Sequence, residues 1–213
     1  IEATQNGFEA GTFSDTTTLG QTVAFTLSAD DYALASNTTS ESLKASYKYQ
    51  WDLNTSFTGD DNLYIRLKSG NHTGSTVTKT YGTYLSSGSK FTDTMKVDKI
   101  WYNFPVGEKH TFYVGPKIEN YYMHGTTPSI YKPVTKQFTL GGNAAAYGAS
   151  TNAGAGWAYK FDNGFAVSSN FVSSKTDLLT NQGATSWANQ VGYTQNQWSA
   201  SVMVNAKYNG WHD

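Results

Sequence analysis

The chain has 213 residues, a net charge of −1, aromatic residues at 15% and no cysteine. The near-neutral charge provides no basic surface of the kind that binds nucleic acid, so we expect no nucleic-acid partner. The lack of cysteine excludes a disulfide-stabilised secreted scaffold. The sequence contains no run of about 18 apolar residues, which excludes a helical membrane span but not membrane strands, because alternating strands average out in hydropathy windows.

Alternation of apolar and polar residues predicts β-strands from the first third of the chain onward. In residues 19–27, leucine, valine and phenylalanine alternate with threonine and alanine. Residues 43–53 alternate most regularly, with apolar and aromatic residues at odd positions and polar residues at even ones. Residues 63–68 and 99–104 repeat the pattern over shorter lengths. Each segment would form a strand with one apolar and one polar face.

The same period of two continues in the last third of the chain. Residues 153–161 place Trp157, Tyr159 and Phe161 on one side, and residues 198–208 alternate over their whole length. We predict about nine strands of roughly ten residues, which is the length that a tilted membrane strand needs.

Short and long connections alternate between the predicted strands. The predicted short turns are at about residues 55–61, 105–109, 162–164 and 194–197. The long polar stretches are at about residues 29–41, 72–91, 119–150 and 175–183. An up-and-down antiparallel β-barrel with short periplasmic turns and long extracellular loops has this order, whereas a β-sandwich has no reason to follow it. The predicted fold is therefore an all-β transmembrane β-barrel.

Aromatic residues of the apolar parity gather beside the short turns. They are Trp51, Tyr102, Phe104, Phe112, Tyr159, Phe161, Phe165, Tyr193 and Trp198. Amphipathic rings favour the headgroup level of a membrane, so these residues predict an aromatic girdle at one membrane interface. The alternative is that aromatic residues are common in strands whatever surrounds them.

The polar parity carries most of the basic side chains and predicts the lining of a pore. The predicted pore-lining residues are Lys44, Lys48, Asp52, Arg66, Lys68, Lys99, Lys117, Lys160 and Lys207. Asp52 is the one acid in this set, whereas Asp98 has the apolar parity and lies near a strand end. A positive lumen favours anions or phosphate-like and sulfate-like solutes. The alternative is that acids on loops and on strands missing from this sequence balance these lysines.

The connection at residues 119–150 has two possible arrangements. It begins with Glu119, Tyr121, Tyr122, Met123 and His124, and it could fold inward and narrow the pore or remain a plain extracellular loop. Glycine and alanine are frequent in residues 141–158. Such small residues could bend a strand or let a loop pack close to the wall, or they could form a flexible entry into the next strand.

The sequence has no pattern that indicates an enzyme, a cofactor or a metal site. His72, His110, His124 and His212 are isolated and lack a second ligand at metal-binding spacing. Asp60 and Asp61 could attract calcium, but a turn needs such residues anyway. There is no nucleophile elbow, phosphate-binding loop or dinucleotide fingerprint.

Three segments carry a family resemblance. FSDTTTLGQTVAFTL at residues 13–27, LNTSFTGDDNLYIRLKSGN at residues 53–71 and VDKIWYNFPVGEKHTFYVGP at residues 97–116 resemble the cyanobacterial outer-membrane porins. These porins are also described as iron uptake porins and are related to OprB-type carbohydrate-selective porins. The resemblance covers about residues 8–133 and continues more loosely after residue 150.

The resemblance implies a barrel of about sixteen strands in a homotrimer in the outer membrane of a cyanobacterium. It also implies an N-terminal S-layer-homology region and a coiled-coil segment, neither of which this sequence contains. Nine strands are too few and odd in number for a closed bacterial barrel. We therefore expect residues 1–213 to form a portion of a longer porin domain.

Together these features predict a porin that admits inorganic ions and small hydrophilic nutrients such as sugars by passive diffusion, with outer-membrane lipid around it. Three alternatives remain. The first is a soluble or surface β-sandwich that binds carbohydrate or acts as an adhesin. The second is a structural outer-membrane protein whose barrel is too plugged to conduct. The third is an enzyme built on an outer-membrane barrel.

Overall fold

The fold is described from a computed structural model that covers residues 15–29, 43–72, 89, 91–126, 151–173 and 183–209. The described residues form nine β-strands and one short 3₁₀ helix at Asn120–Met123. The strands are β1 (Thr17–Ala29), β2 (Leu43–Thr55), β3 (Asn62–Gly70), β4 (Lys96–Val106), β5 (His110–Ile118), β6 (Asn152–Lys160), β7 (Phe165–Ser173), β8 (Thr185–Thr194) and β9 (Ser199–Tyr208). The prediction of about nine strands of roughly ten residues is confirmed.

The nine strands form one antiparallel sheet in which every strand pairs with its sequence neighbours. This order confirms the all-β, up-and-down prediction at the level of the sheet. Over the described residues the sheet is open, with β1 and β9 at its edges. No helix in the described part of the chain is long and apolar enough to cross a membrane.

The strands are joined by short turns at one end of the sheet. The turns lie at residues 56–61, 107–109, 161–164 and 195–198, which confirms the four predicted short connections to within a few residues. Phe161, predicted as a strand residue, begins the β6–β7 turn instead. Most of the long stretches, residues 30–42, 73–88, 127–150 and 174–182, lie outside the described residues.

The two faces of the sheet differ in both chemistry and burial. One face, which we call the apolar face, carries Phe25, Val202 and Val204, whose exposed fractions are 86%, 75% and 66%. The other, which we call the covered face, carries Lys48 and Lys99, each only 4% exposed. A water-soluble globule has the opposite arrangement, because burying apolar side chains is what stabilises it.

Two β-bulges change the face of individual residues. The register of β3 against β4 shifts between Arg66 and Leu67. Asp98 is the extra residue on β4 at this bulge, and it lies beside Arg66. A second shift in the pairing of β4 with β5 sets Lys117 opposite Ile100, on the apolar face. The predicted face of these two residues was therefore wrong, because a bulge inserts an extra residue and breaks the period of two.

Asp61 holds the β2–β3 turn together. Its Oδ1 accepts hydrogen bonds from the Ser56 hydroxyl at 2.8 Å and from the backbone N–H groups of Phe57 and Thr58 at 2.9 and 2.8 Å. Its Oδ2 accepts the Tyr102 hydroxyl at 2.7 Å. The bond from Tyr102 and the donors of the turn hold the pKa of the Asp61 carboxyl well below its usual value. Asp61 therefore has a structural role in this turn.

Replacing Asp61 with alanine is expected to destabilise this turn, because several donors lose one shared acceptor. The lowered pKa means that Asp61 stabilises the turn at pH values above about 4, the ordinary carboxyl pKa, and that this contribution is lost on further acidification. Hydrogen exchange at residues 56–64 measures the effect. Asp60→Ala is the control, since Asp60 is exposed, and equal exchange in both variants would contradict this role of Asp61.

Candidate functional site

The structure places eight of the nine predicted pore-lining residues on the covered face. Cross-strand pairs such as Gln50 with Lys68 and Arg66 with Lys99 follow this face across the sheet. Lys44 and Lys207 lie at the end with the long connections, and Lys160 is exposed near the short turns. Lys117 is the exception described above. That these residues line a pore remains a prediction.

Carboxylates neutralise part of the positive charge on the covered face. Arg66 Nε lies 2.9 Å from Asp52 Oδ1, and its Nη1 lies 3.8 Å from Asp98 Oδ2. Asp52 also accepts hydrogen bonds from the hydroxyl of Tyr64 and from Gln50. The expectation that Asp52 is the one acid on this face was therefore wrong, because Asp98 of β4 also lies beside Arg66.

Lys99 forms the second charge pair, with Glu119 just beyond the end of β5. The ammonium binds the Glu119 carboxylate and the Thr151 hydroxyl, the latter at 2.6 Å, and Thr151 also donates to Glu119. Both charged residues are buried. Removing one partner would leave a buried charge without its counterion, which is costly. This pair therefore fixes where the chain leaves β5 and turns over the sheet.

Residues 119–126, which we call the covering segment, lie against the covered face. Asn120 Nδ2 donates to Asn170 Oδ1 at 2.7 Å and to the Ser186 carbonyl at 3.3 Å. A hydrogen bond of 3.2 Å joins Asn170 to His124 Nδ1. The start of the 119–150 connection therefore folds back onto the sheet, and that it narrows a pore remains a prediction; residues 127–150 lie outside the described residues.

The covering segment is also held at its far end. The Thr126 N–H donates to Gln190 Oε1, and Gln190 Nε2 donates back to the Thr126 carbonyl, both at 3.0 Å. Gly192 lies beneath Thr126, and a Cβ there would clash with the Thr126 side chain. The missing side chain thus lets the segment approach the sheet closely.

A small residue also allows the middle of the covering segment to pack close to the sheet. A Cβ at Gly156 would lie 2.8 Å from Met123 Sδ, and one at Gly154 would lie 3.0 Å from the Ile118 side chain. Both glycines belong to the glycine- and alanine-rich stretch at residues 141–158. Gly154 lies against the last residue of β5, so of the two interpretations of that stretch, close packing of a loop against the wall applies to Gly156.

Three aromatic rings connect the covering segment to the sheet. The Trp101 ring lies between those of Tyr64 and Tyr122, with centroid distances of 4.0 and 4.4 Å. Lys99 Nζ lies 5.5 Å from the centre of the Tyr122 ring, a cation–π distance. The segment is therefore anchored by stacking as well as by ion pairing and hydrogen bonds.

His124 is a buried residue of the covering segment, outside the strands, and burial lowers its pKa to about 4. Because an unfolded histidine titrates near 6.5, the bound segment is fully stable above that pH. Its stability is lost progressively between pH 6.5 and 4, by about 3 kcal/mol in total. We expect hydrogen exchange at residues 120–126, corrected for intrinsic pH dependence, to accelerate over this interval.

His124→Gln tests this pH dependence, since glutamine does not titrate there, and it should remove the acceleration. His110→Gln is the matched control, because His110 lies on β5 away from the covering segment. An undiminished pH response in the His124 variant would show that another group is responsible.

Ring contacts connect most of the predicted aromatic girdle at the short-turn end of the apolar face. The contacting pairs, with centroid distances between 4.6 and 5.8 Å, are Tyr102–Phe104, Phe104–Phe112, Tyr159–Phe161, Phe165–Tyr193 and Tyr193–Trp198. Phe57, which was not predicted, lies 6.4 Å from Tyr102. Trp51 instead contacts Tyr49, further from the turns. A membrane-interface role for these rings remains a prediction.

Comparison of the sequence with protein-family models gave no match, and no curated protein matches the chain.

Proposed function

We propose that the chain forms part of the wall of an outer-membrane porin, with its apolar face against lipid and its covered face toward a water-filled pore. Solutes would be inorganic ions and small hydrophilic nutrients, moving by passive diffusion. The resemblance of residues 13–27, 53–71 and 97–116 to the cyanobacterial porins supports the same proposal and suggests a homotrimer in a cyanobacterial outer membrane.

The arrangement of the two faces is the observation that carries this proposal. A sheet with Phe25, Val202 and Val204 exposed, and with Lys48 and Lys99 buried on its other side, has its polarity reversed relative to a soluble protein. Large exposed apolar surfaces occur at membrane or protein interfaces. The described residues form one sheet, whereas the alternative β-sandwich needs two sheets packed face to face.

A membrane location would require the edges at β1 and β9 to be paired. Backbone N–H and C=O groups in the hydrocarbon layer have no water to bind, so open sheet edges do not occur there. We propose that further strands complete the barrel between β1 and β9, which agrees with the larger strand number that the family resemblance implies.

The covering segment would narrow the pore, because it lies on the face that we assign to the lumen. Its ion pair through Glu119 and the pairing of Arg66 with Asp52 and Asp98 reduce the positive charge near the constriction. Lys48 and Lys68 add further positive charge on the same face. We therefore propose a weak anion preference.

Conductance and solute uptake test the porin proposal. The purified protein is inserted into planar bilayers and liposomes, where we expect discrete conductance steps, a reversal potential on the anion-selective side and swelling with small sugars. A chain that stays monodisperse in buffer without detergent would contradict the proposal in favour of a soluble module. Stable insertion without conductance or swelling would favour the plugged structural protein.

A further inference from the structure

We propose that the apolar face contains a binding site for one anionic phospholipid, with an acyl chain in an apolar groove and the phosphate at Lys117. The groove has a volume of about 540 Å³ and crosses β3 to β7. Its lining includes Leu63, Ile100, Tyr102, Val114, Ala155 and Phe171. The inference rests on the proposed membrane location and goes beyond the passage of solutes.

The lining of the groove combines small and large residues. Gly115, Ala153 and Ala155 line it together with the larger Ile100 and Phe171. The side chains that line it are almost entirely apolar, so they can make van der Waals contacts with an occupant but almost no hydrogen bonds. Its volume lies in the range of small-molecule sites. A hydrocarbon chain is the occupant that matches this chemistry.

Lys117 supplies a charge at one end of the groove. It follows Pro116 of the lining and lies opposite Ile100, and it is exposed near the end of β5 where the long connection begins. Among the described strands it is the one lysine or arginine on the apolar face. The bulge in the pairing of β4 with β5 places it there.

The ammonium group of Lys117 can still bind an anion outside the protein. The ammonium donates to the Val97 carbonyl at 2.9 Å, and no described carboxylate pairs with it. A lysine at the edge of an apolar surface extends toward the headgroup level while its stem contacts hydrocarbon. There its charge attracts anionic headgroups. The groove and the ammonium together therefore match an anionic phospholipid better than a zwitterionic one.

The test measures lipids retained by the protein after release from bicelles that contain phosphatidylglycerol and phosphatidylcholine, with native mass spectrometry as the readout. We expect the wild-type chain to prefer phosphatidylglycerol. Lys117→Gln should lower this preference about fivefold, the effect of one lysine near a charged surface, and leave phosphatidylcholine retention unchanged. Lys160→Gln is the control, since Lys160 is exposed on the opposite face.

A second pair of variants tests the groove itself. Ala155→Leu fills the groove and should reduce retention of both lipids, whereas Ala200→Leu, on the exposed apolar face of β9, should change neither. An unchanged lipid preference in Lys117→Gln would overturn the inference. Loss of an oligomer in Ala155→Leu without loss of lipid would overturn it in favour of contact with a second copy of this chain.

These outcomes separate the lipid site from the proposed function. Normal conductance with unchanged lipid retention in Lys117→Gln would reject the lipid site alone. Failure of the wild-type chain to enter bicelles would reject the porin proposal and the lipid site together.

Discussion

Arginine in place of Val204 is expected to destabilise the folded, membrane-inserted protein strongly. Val204 lies near the middle of β9 on the apolar face and is 66% exposed, so the proposed membrane location places it in the hydrocarbon layer. A lipid-facing arginine near the bilayer centre costs about 2–4 kcal/mol, a large part of the stability of a typical domain. Urea titration of folding into liposomes measures the loss.

Met203→Arg is the matched control for this prediction. Met203 is the preceding residue of the same strand and lies on the covered face, opposite Gln190. The proposal assigns that face to water, so the arginine there should change folding much less. Equal destabilisation by both substitutions, or none by either, would contradict the assignment of lipid to the apolar face.

Valine in place of Gly192 is expected to displace the covering segment and increase conductance. The new side chain would occupy the space of the Thr126 side chain. It would push Thr126 away from Gln190 and break the two hydrogen bonds between them. Each such bond contributes about 1 kcal/mol, so the released state should become about 30 times more populated relative to the bound state. Single-channel conductance and hydrogen exchange at residues 120–126 measure the two consequences.

Gly20→Val is the control for the Gly192 variant. Gly20 lies on the covered face of β1, where an added Cβ would find its nearest atoms, those of Asp52, at 3.6 Å or more. The same substitution can therefore be accommodated there without touching the covering segment. If Gly192→Val accelerates exchange at residues 120–126 but conductance does not rise, the segment does not narrow the pore.

The sheet could be predicted from the sequence because its two indicators, the alternation of apolar and polar residues and the turn residues between strands, are local in sequence. Alternation in residues 43–53 predicts β2, and the turn at residues 107–109 follows from the proline- and glycine-containing PVGEK stretch. The bulges could not be predicted, because an extra residue becomes visible only through the pairing of two strands. Lys117 and Asp98 were consequently assigned to the wrong faces.

The covering segment could be predicted only as one of two alternatives. Its contacts join residues far apart in sequence, such as Asn120 with Ser186 and Thr126 with Gln190, and no local pattern encodes them. The ion pair of Lys99 with Glu119 could not be predicted either, because it depends on the direction that the chain takes after β5. A buried glycine beneath a loop, such as Gly192, is a signal that could have indicated the contact, since β-strands rarely contain glycine without a reason.

The most direct test of lipid at the apolar face is the accessibility of spin labels along β9 in liposomes. The chain contains no cysteine, so single cysteines at positions 200 to 206 can be labelled one at a time. Period-two accessibility is predicted, with oxygen dissolved in lipid reaching positions 200, 202, 204 and 206, and a water-soluble nickel reagent reaching positions 201, 203 and 205. Uniform access of the nickel reagent to all seven positions would contradict the account.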